Sequence, residues 1–115
     1  MRYVLGIDVG GTNLVAGVVA EDGSEILGVV SEPTLAAQGA DPVIGRIIKL
    51  AKASIKESGK TVEGIGIGSP GPLDTKKGIV LLTPNLGWTN MPLRDRVSEG
   101  LGLPGTLDND ANCAI

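Results

Sequence analysis

Residues 5–13 read Leu-Gly-Ile-Asp-Val-Gly-Gly-Thr-Asn, and the segment that follows them decides the fold. An apolar strand over residues 2–8 ends in Asp8 and enters a glycine turn. From Asn13 to Ala20 the chain then continues as a second apolar strand. A dinucleotide-binding βαβ unit needs a helix at that point, and a Walker loop needs a Gly-Lys-Ser/Thr ending, so neither fits. What remains is a hairpin. Glu21-Asp22-Gly23-Ser24 supplies the next turn and Glu25 to Ser31 a third strand, which makes an antiparallel meander.

Beyond the meander the pattern changes period. Asp41 and Pro42 offer an N-cap and a first-turn proline, and Val43, Ile44, Ile47, Ile48, Leu50, Ala51 and Ile55 then follow helical spacing up to Gly59. Val62 to Gly68 reads as a short strand. Pro92 to Leu101 reads as a second helix, broken by Gly100 and Gly102, and Gly105 to Asp108 as a last strand. The Pro/Gly-rich segments 69–72 and 84–92 read as long loops. The order βββ, α, β, α, β requires helical crossovers for the two later strands, so the expected class is α/β: a mixed five-stranded sheet with an antiparallel three-stranded meander and helices packed on it.

Composition narrows the function classes. A chain of 115 residues holds one core, which must be aliphatic because Tyr3 and Trp88 are the only aromatics. The net charge of −3, without a basic stripe, argues against a nucleic-acid partner. Nothing resembles a signal peptide, and no stretch reaches the ~18 apolar residues of a membrane span, so a cytoplasmic protein with no membrane partner is expected. The single cysteine rules out an intramolecular disulfide, and the lack of histidine leaves acid–base chemistry to Asp, Glu, Lys, Tyr or Cys.

Three motifs carry candidate chemistry. At Asp8-Val9-Gly10-Gly11-Thr12-Asn13, adjacent glycines allow positive φ and let backbone N–H groups approach an anion, Thr12 adds a hydroxyl, and Asp8 can hold a hydrated Mg²⁺. The plainer reading is a hairpin that only turns the chain, but such a turn needs no buried Asp at its entrance. The second motif, Gly64-Ile65-Gly66-Ile67-Gly68-Ser69-Pro70-Gly71-Pro72-Leu73-Asp74, leaves one strand face without side chains, which suits a packed neighbour as well as a ligand. The third, Asn109-Asp110-Ala111-Asn112, stands at the carboxyl end of the last strand, where open α/β sheets bind ligands and an ionised Asp can abstract a proton. Taken alone, a helix N-cap is the commoner role for Asn109 or Asp110. Trp88 reads as a packing anchor and Cys113 as a small buried hydrophobe.

Together, in this order and spacing, Leu5 to Thr12, Pro84-Asn85-Leu86-Gly87-Trp88 and Asn109 to Asn112 resemble the ROK family of sugar kinases, especially its bacterial glucokinase branch. The resemblance implies an actin-like ATPase (ribonuclease H-like) lobe, one of two that clamp a nucleotide. It implies that Asp8, Gly10, Gly11, Thr12 and Asn13 face the phosphates of ATP and their Mg²⁺. It also implies that Asn109 binds the sugar, with Gly71 and Asn85 at loop positions near it, and that Asp110 takes the proton from the 6-hydroxyl of a hexose, glucose first. No metal beyond that Mg²⁺ is implied for these residues.

Asn13 stands where the family usually has Lys. The family's Glu-x-Gly-His segment, its zinc-binding cysteines and its adenosine lobe are not in this chain, so structural zinc is expected only with a second half. Ile115 falls inside the helix expected after Asp110, which predicts that 1–115 is the N-terminal lobe of a longer protein, inactive by itself. A homodimer is expected to cover surface left by the second lobe. The resemblance also admits a kinase for another hexose such as an N-acetylhexosamine or fructose. From other classes come a sugar-sensing transcriptional regulator, which would carry a DNA-binding domain ahead of this segment, and a sugar- or anion-binding domain without turnover.

Overall fold

A computed structural model describes residues 2–83 and 86–109. Three strands, β1 (Tyr3–Val9), β2 (Asn13–Ala20) and β3 (Ile26–Pro33), pair antiparallel in sequence order. Helix α1 (Ala40–Ser58) crosses to β4 (Ile65–Ser69), which lies parallel to β1. A second helix, α2 (Leu93–Leu101), leads to β8 (Gly105–Asn109), parallel to β4. The five-stranded sheet therefore runs β3-β2-β1-β4-β8, the mixed sheet and meander expected from the sequence.

Period-two alternation puts Leu5, Ile7 and Val9 of β1 on one face, all fully buried, and leaves Val4, Gly6 and Asp8 half-buried on the other. Helices α1 and α2 pack on the first face and on each other. Val43, Ile44, Ile47, Leu50 and Ala51 of α1 meet that face, and each large aliphatic so buried stabilises the fold by about 1.5–3 kcal/mol relative to exposure. Gly28 of β3 lets α1 approach closely. The Ser54 hydroxyl donates to its carbonyl at 2.7 Å, and a Cβ at Gly28 would collide with the Ser54 carbonyl oxygen.

The sequence reading needs three corrections here. Helix α1 begins one residue before Asp41, after Gly39, so Asp41 is not the N-cap; its carboxylate instead pairs with Arg96 Nη2 of α2 at 2.9 Å. Gly100 does not break α2 but lies inside it, where Ile48 of α1 occupies the space a side chain would need. The segment between β4 and α2 is more than loop. Strands β5 (Leu73–Asp74), β6 (Ile79–Thr83) and β7 (Trp88–Met91) form a second, antiparallel sheet in that order. Its turn at 74–78 is held locally by Asp74, which accepts from the Lys77 N–H at 3.0 Å. From α2, the Arg94 guanidinium donates to the Lys76 and Lys77 carbonyls at 3.0 and 3.1 Å. Val80 and Trp88 turn into the core, while Leu81 and Leu82 stay exposed. Among the described residues no helix is long and apolar enough to cross a membrane.

Candidate active site

The parallel register brings the first and third motifs to one edge. Asp8 of β1 lies opposite Gly68 of β4, Gly68 opposite Asp108 of β8, and Ser69 opposite Asn109. Asp8 and Asp108 are thus two strands apart, roughly 10 Å at ordinary strand spacing. Asn109 closes β8 at the carboxyl end of the parallel strands, where α/β sheets bind ligands. Asp110 and Asn85, together with Cys113, lie outside the described residues.

The Gly10–Asn13 loop joins β1 to β2 as a hairpin, closed by the Gly10 N–H donating to the Asn13 carbonyl at 3.0 Å. Neither Gly10 nor Gly11 takes positive φ, contrary to the role expected of the pair. The constraint at Gly10 is space: a Cβ there would stand 2.8 Å from the Asn13 carbonyl oxygen. Asp8 is half-buried rather than buried, and its carboxylate has no hydrogen-bond or ion-pair partner among the described residues. Thr12 and Asn13 are exposed. A half-buried carboxylate without a protein partner beside exposed hydroxyl and backbone donors fits the needs of a hydrated divalent cation bound with phosphates. No group of three potential metal ligands occurs among the described residues, and Asp8 is the carboxylate beside the hairpin that could hold such an ion.

Gly71 and Trp88 are both built into the packing of the second sheet. Gly71 adopts φ +138°, and a side chain there would press on Leu82 O at 3.2 Å and on Leu73 and Thr83, so its backbone is built into the contact with β6. Trp88 is 2% exposed and belongs to the core, the packing role expected of it, though from a strand. A groove of about 350 Å³ is lined by Arg2, Val4, Glu63, Gly64, Gly66 and Thr106 at the opposite, amino end of the parallel strands. It is therefore remote from Asp8 and Asn109.

A residue missing from the sequence reading holds the hairpin. Thr34, fully buried just past β3, donates its hydroxyl to the Gly10 carbonyl at 2.7 Å and its N–H to the Thr12 carbonyl at 2.9 Å. Arg46 of α1 donates to the Thr34 carbonyl and to Gln38 Oε1, both at 2.6 Å. The sequence reading ends the third strand at Ser31, and only the continued pairing of β2 with β3 as far as Pro33 shows what Thr34 reaches.

The family model for the ROK family matches residues 4–115. The chain belongs to the ROK family. A glucokinase from Thermotoga maritima is 40% identical over 114 residues, which is 97% of this ROK chain and 35% of that protein. The crystal structure of a ROK family glucokinase from Streptomyces griseus, in complex with glucose and AMPPNP, superposes with a TM-score of 0.86 at 37% identity. It covers 96% of the chain and 34% of that structure. A xylose repressor from Caldicellulosiruptor bescii is 44% identical over 69 residues, 57% of this chain and 17% of the repressor. The chain thus spans about a third of the length of the glucokinases it matches. Its fold is the mixed α/β lobe of ROK actin-like kinases.

Proposed function

We propose that this ROK chain is one lobe of a two-lobed cytoplasmic sugar kinase that transfers a phosphoryl group from ATP to the 6-hydroxyl of a hexose, glucose first. The observation that carries the reading is the in-register row Asp8, Gly68 and Asp108, with Ser69 and Asn109 one step beyond, which puts the glycine hairpin and the Asn109 end of β8 on one edge. The similarity to a glucokinase and to a glucokinase structure holding glucose and AMPPNP supports it.

Phosphoryl transfer asks little covalent chemistry of a protein; it needs positioning and stabilisation of charge. Backbone donors of Gly11 to Asn13 and the Thr12 hydroxyl hold phosphate oxygens, and Asp8 would hold the water shell of Mg²⁺. That ion, when bound, supplies the positive charge that offsets the phosphates. Asn109 donates to or accepts from sugar hydroxyls, Gly71 and Asn85 border the sugar, and Asp110 accepts the proton of the attacking hydroxyl. Adenosine contacts come from the second lobe, so residues 1–115 alone bind nucleotide weakly.

The test is ADP release by the full gene product with MgATP across a hexose panel, run beside Asp110→Asn. Turnover is expected with glucose, and the variant should lose about 10²–10⁴-fold in kcat with a smaller change in glucose KM. An Asp110→Asn enzyme with normal kcat would remove Asp110 as the base. The repressor similarity favours a second reading, a sugar-sensing regulator that uses the same sugar side without turnover. Sugar binding with no ADP release for any hexose would select it.

A further inference from the structure

Two carbonyls of the hairpin are held by a single residue. Thr34 takes the Gly10 carbonyl with its hydroxyl and the Thr12 carbonyl with its backbone N–H. All peptides are trans among the described residues, and in a planar trans peptide the C=O of one residue and the N–H of the next point in opposite directions. With the Gly10 oxygen fixed toward Thr34, the Gly11 N–H must point away from it. The Asn13 N–H is turned away by the same argument from Thr12.

This orientation is not one the hairpin would hold unaided. Gly10 and Gly11 both lack a Cβ, so the peptide between them rotates at low cost in a chain free of other restraints. The rotated form would present a carbonyl oxygen, not an N–H, to an incoming phosphate and repel it. Thr34 is fully buried, so its hydroxyl has no water to exchange for the Gly10 carbonyl. Arg46 holds the Thr34 carbonyl at 2.6 Å and spans to Gln38, which ties the clamp to helix α1.

We propose that Thr34 is a positioning residue for nucleotide binding: it fixes the donor-outward state of the Gly10–Gly11 peptide, with Arg46 holding Thr34 in place. The proposal rests on the reading of this hairpin as the phosphate site. It predicts a defect confined to nucleotide, because Thr34 faces the hairpin from the side of β3 and α1, whereas Asn109 closes β8 at the other edge of the sheet.

The experiment titrates MgAMPPNP into the full gene product and measures ATP and glucose KM for Thr34→Val, Thr34→Ser, Arg46→Met and Gly11→Val. Thr34→Val keeps the shape and removes the donor; it should weaken MgAMPPNP by about tenfold and leave glucose KM within about twofold of wild type. Serine restores the hydroxyl and should recover most of the affinity. Arg46→Met, which spares the Thr34 hydroxyl, should weaken nucleotide by about threefold, and it decides the matter if Thr34→Val does not fold. Normal nucleotide affinity in folded Thr34→Val, or in folded Arg46→Met where valine fails, alongside a weakened Gly11→Val, would overturn the role of Thr34 alone. Normal affinity in Gly11→Val as well would overturn the phosphate-hairpin reading beneath it. Equal losses for nucleotide and glucose would show Thr34 to be a general structural residue.

Discussion

The meander has two turns, and they are built in opposite ways. The turn between β2 and β3 is self-contained: Gly23 adopts φ +76°, its N–H donates to the Ala20 carbonyl at 2.8 Å, and Asp22 accepts from the Ser24 N–H at 2.9 Å. A Cβ on Gly23 would meet nothing within 4 Å. The turn between β1 and β2 takes no positive φ at its glycines, has no local side-chain brace, and is gripped by Thr34, more than twenty residues away. The first arrangement is what reversing a chain requires. The second exceeds that requirement, and the proposed phosphate role of the Gly10–Asn13 hairpin would account for the excess.

Exchanging side chains at the two turns should widen this difference. The largest effect is expected at Gly11→Val, where a branched side chain keeps phosphate oxygens from the backbone donors; ATP KM in steady-state assays should rise by about 10–100-fold, the value of one or two charge-assisted hydrogen bonds. Gly23→Ala comes next and acts on stability alone. Holding alanine at φ +76° costs about 1 kcal/mol, readable by urea denaturation, with ATP KM unchanged.

Asp22→Ala should show the smallest effect, and its pH dependence has a definite sign. Hydrogen bonds from the Ser24 side chain first, and from the Ser24 N–H second, hold the Asp22 carboxyl below the ordinary aspartate value. A lowered folded-state pKa contributes stability above the ordinary value, and that contribution is lost as pH falls through the depressed one. The gap in melting temperature between wild type and Asp22→Ala should therefore narrow on acidification; a gap that widens would contradict the assignment.

The main sheet was legible because its elements obey single periods. The strand over residues 2–8 and the helix ending at Gly59 carry uninterrupted apolar patterns, and the strand following Asn13 excluded the common nucleotide-binding βαβ unit. The second sheet was not legible for a physical reason. Its strands β5 and β7 are two and four residues long, flanked by Pro and Gly, and stabilised by Arg94 reaching from α2 to the Lys76 and Lys77 carbonyls. Such long-range side-chain to backbone bonds leave no local pattern. Thr34 was missed for the same reason, since a Thr after Pro33 looks like any loop residue until the strand pairing places it against Gly10. At the candidate site the sequence reading singled out Asp8, the glycine hairpin and Asn109 as candidates, and the register of three parallel strands supplied their common edge.

The most direct test of the account is equilibrium titration of MgAMPPNP into the full gene product carrying Gly11→Val or Gly23→Ala. The account predicts a loss of about tenfold or more for Gly11→Val and wild-type affinity for Gly23→Ala. Equal affinity in the two variants would mean that the Gly10–Asn13 hairpin, like its neighbour, only turns the chain.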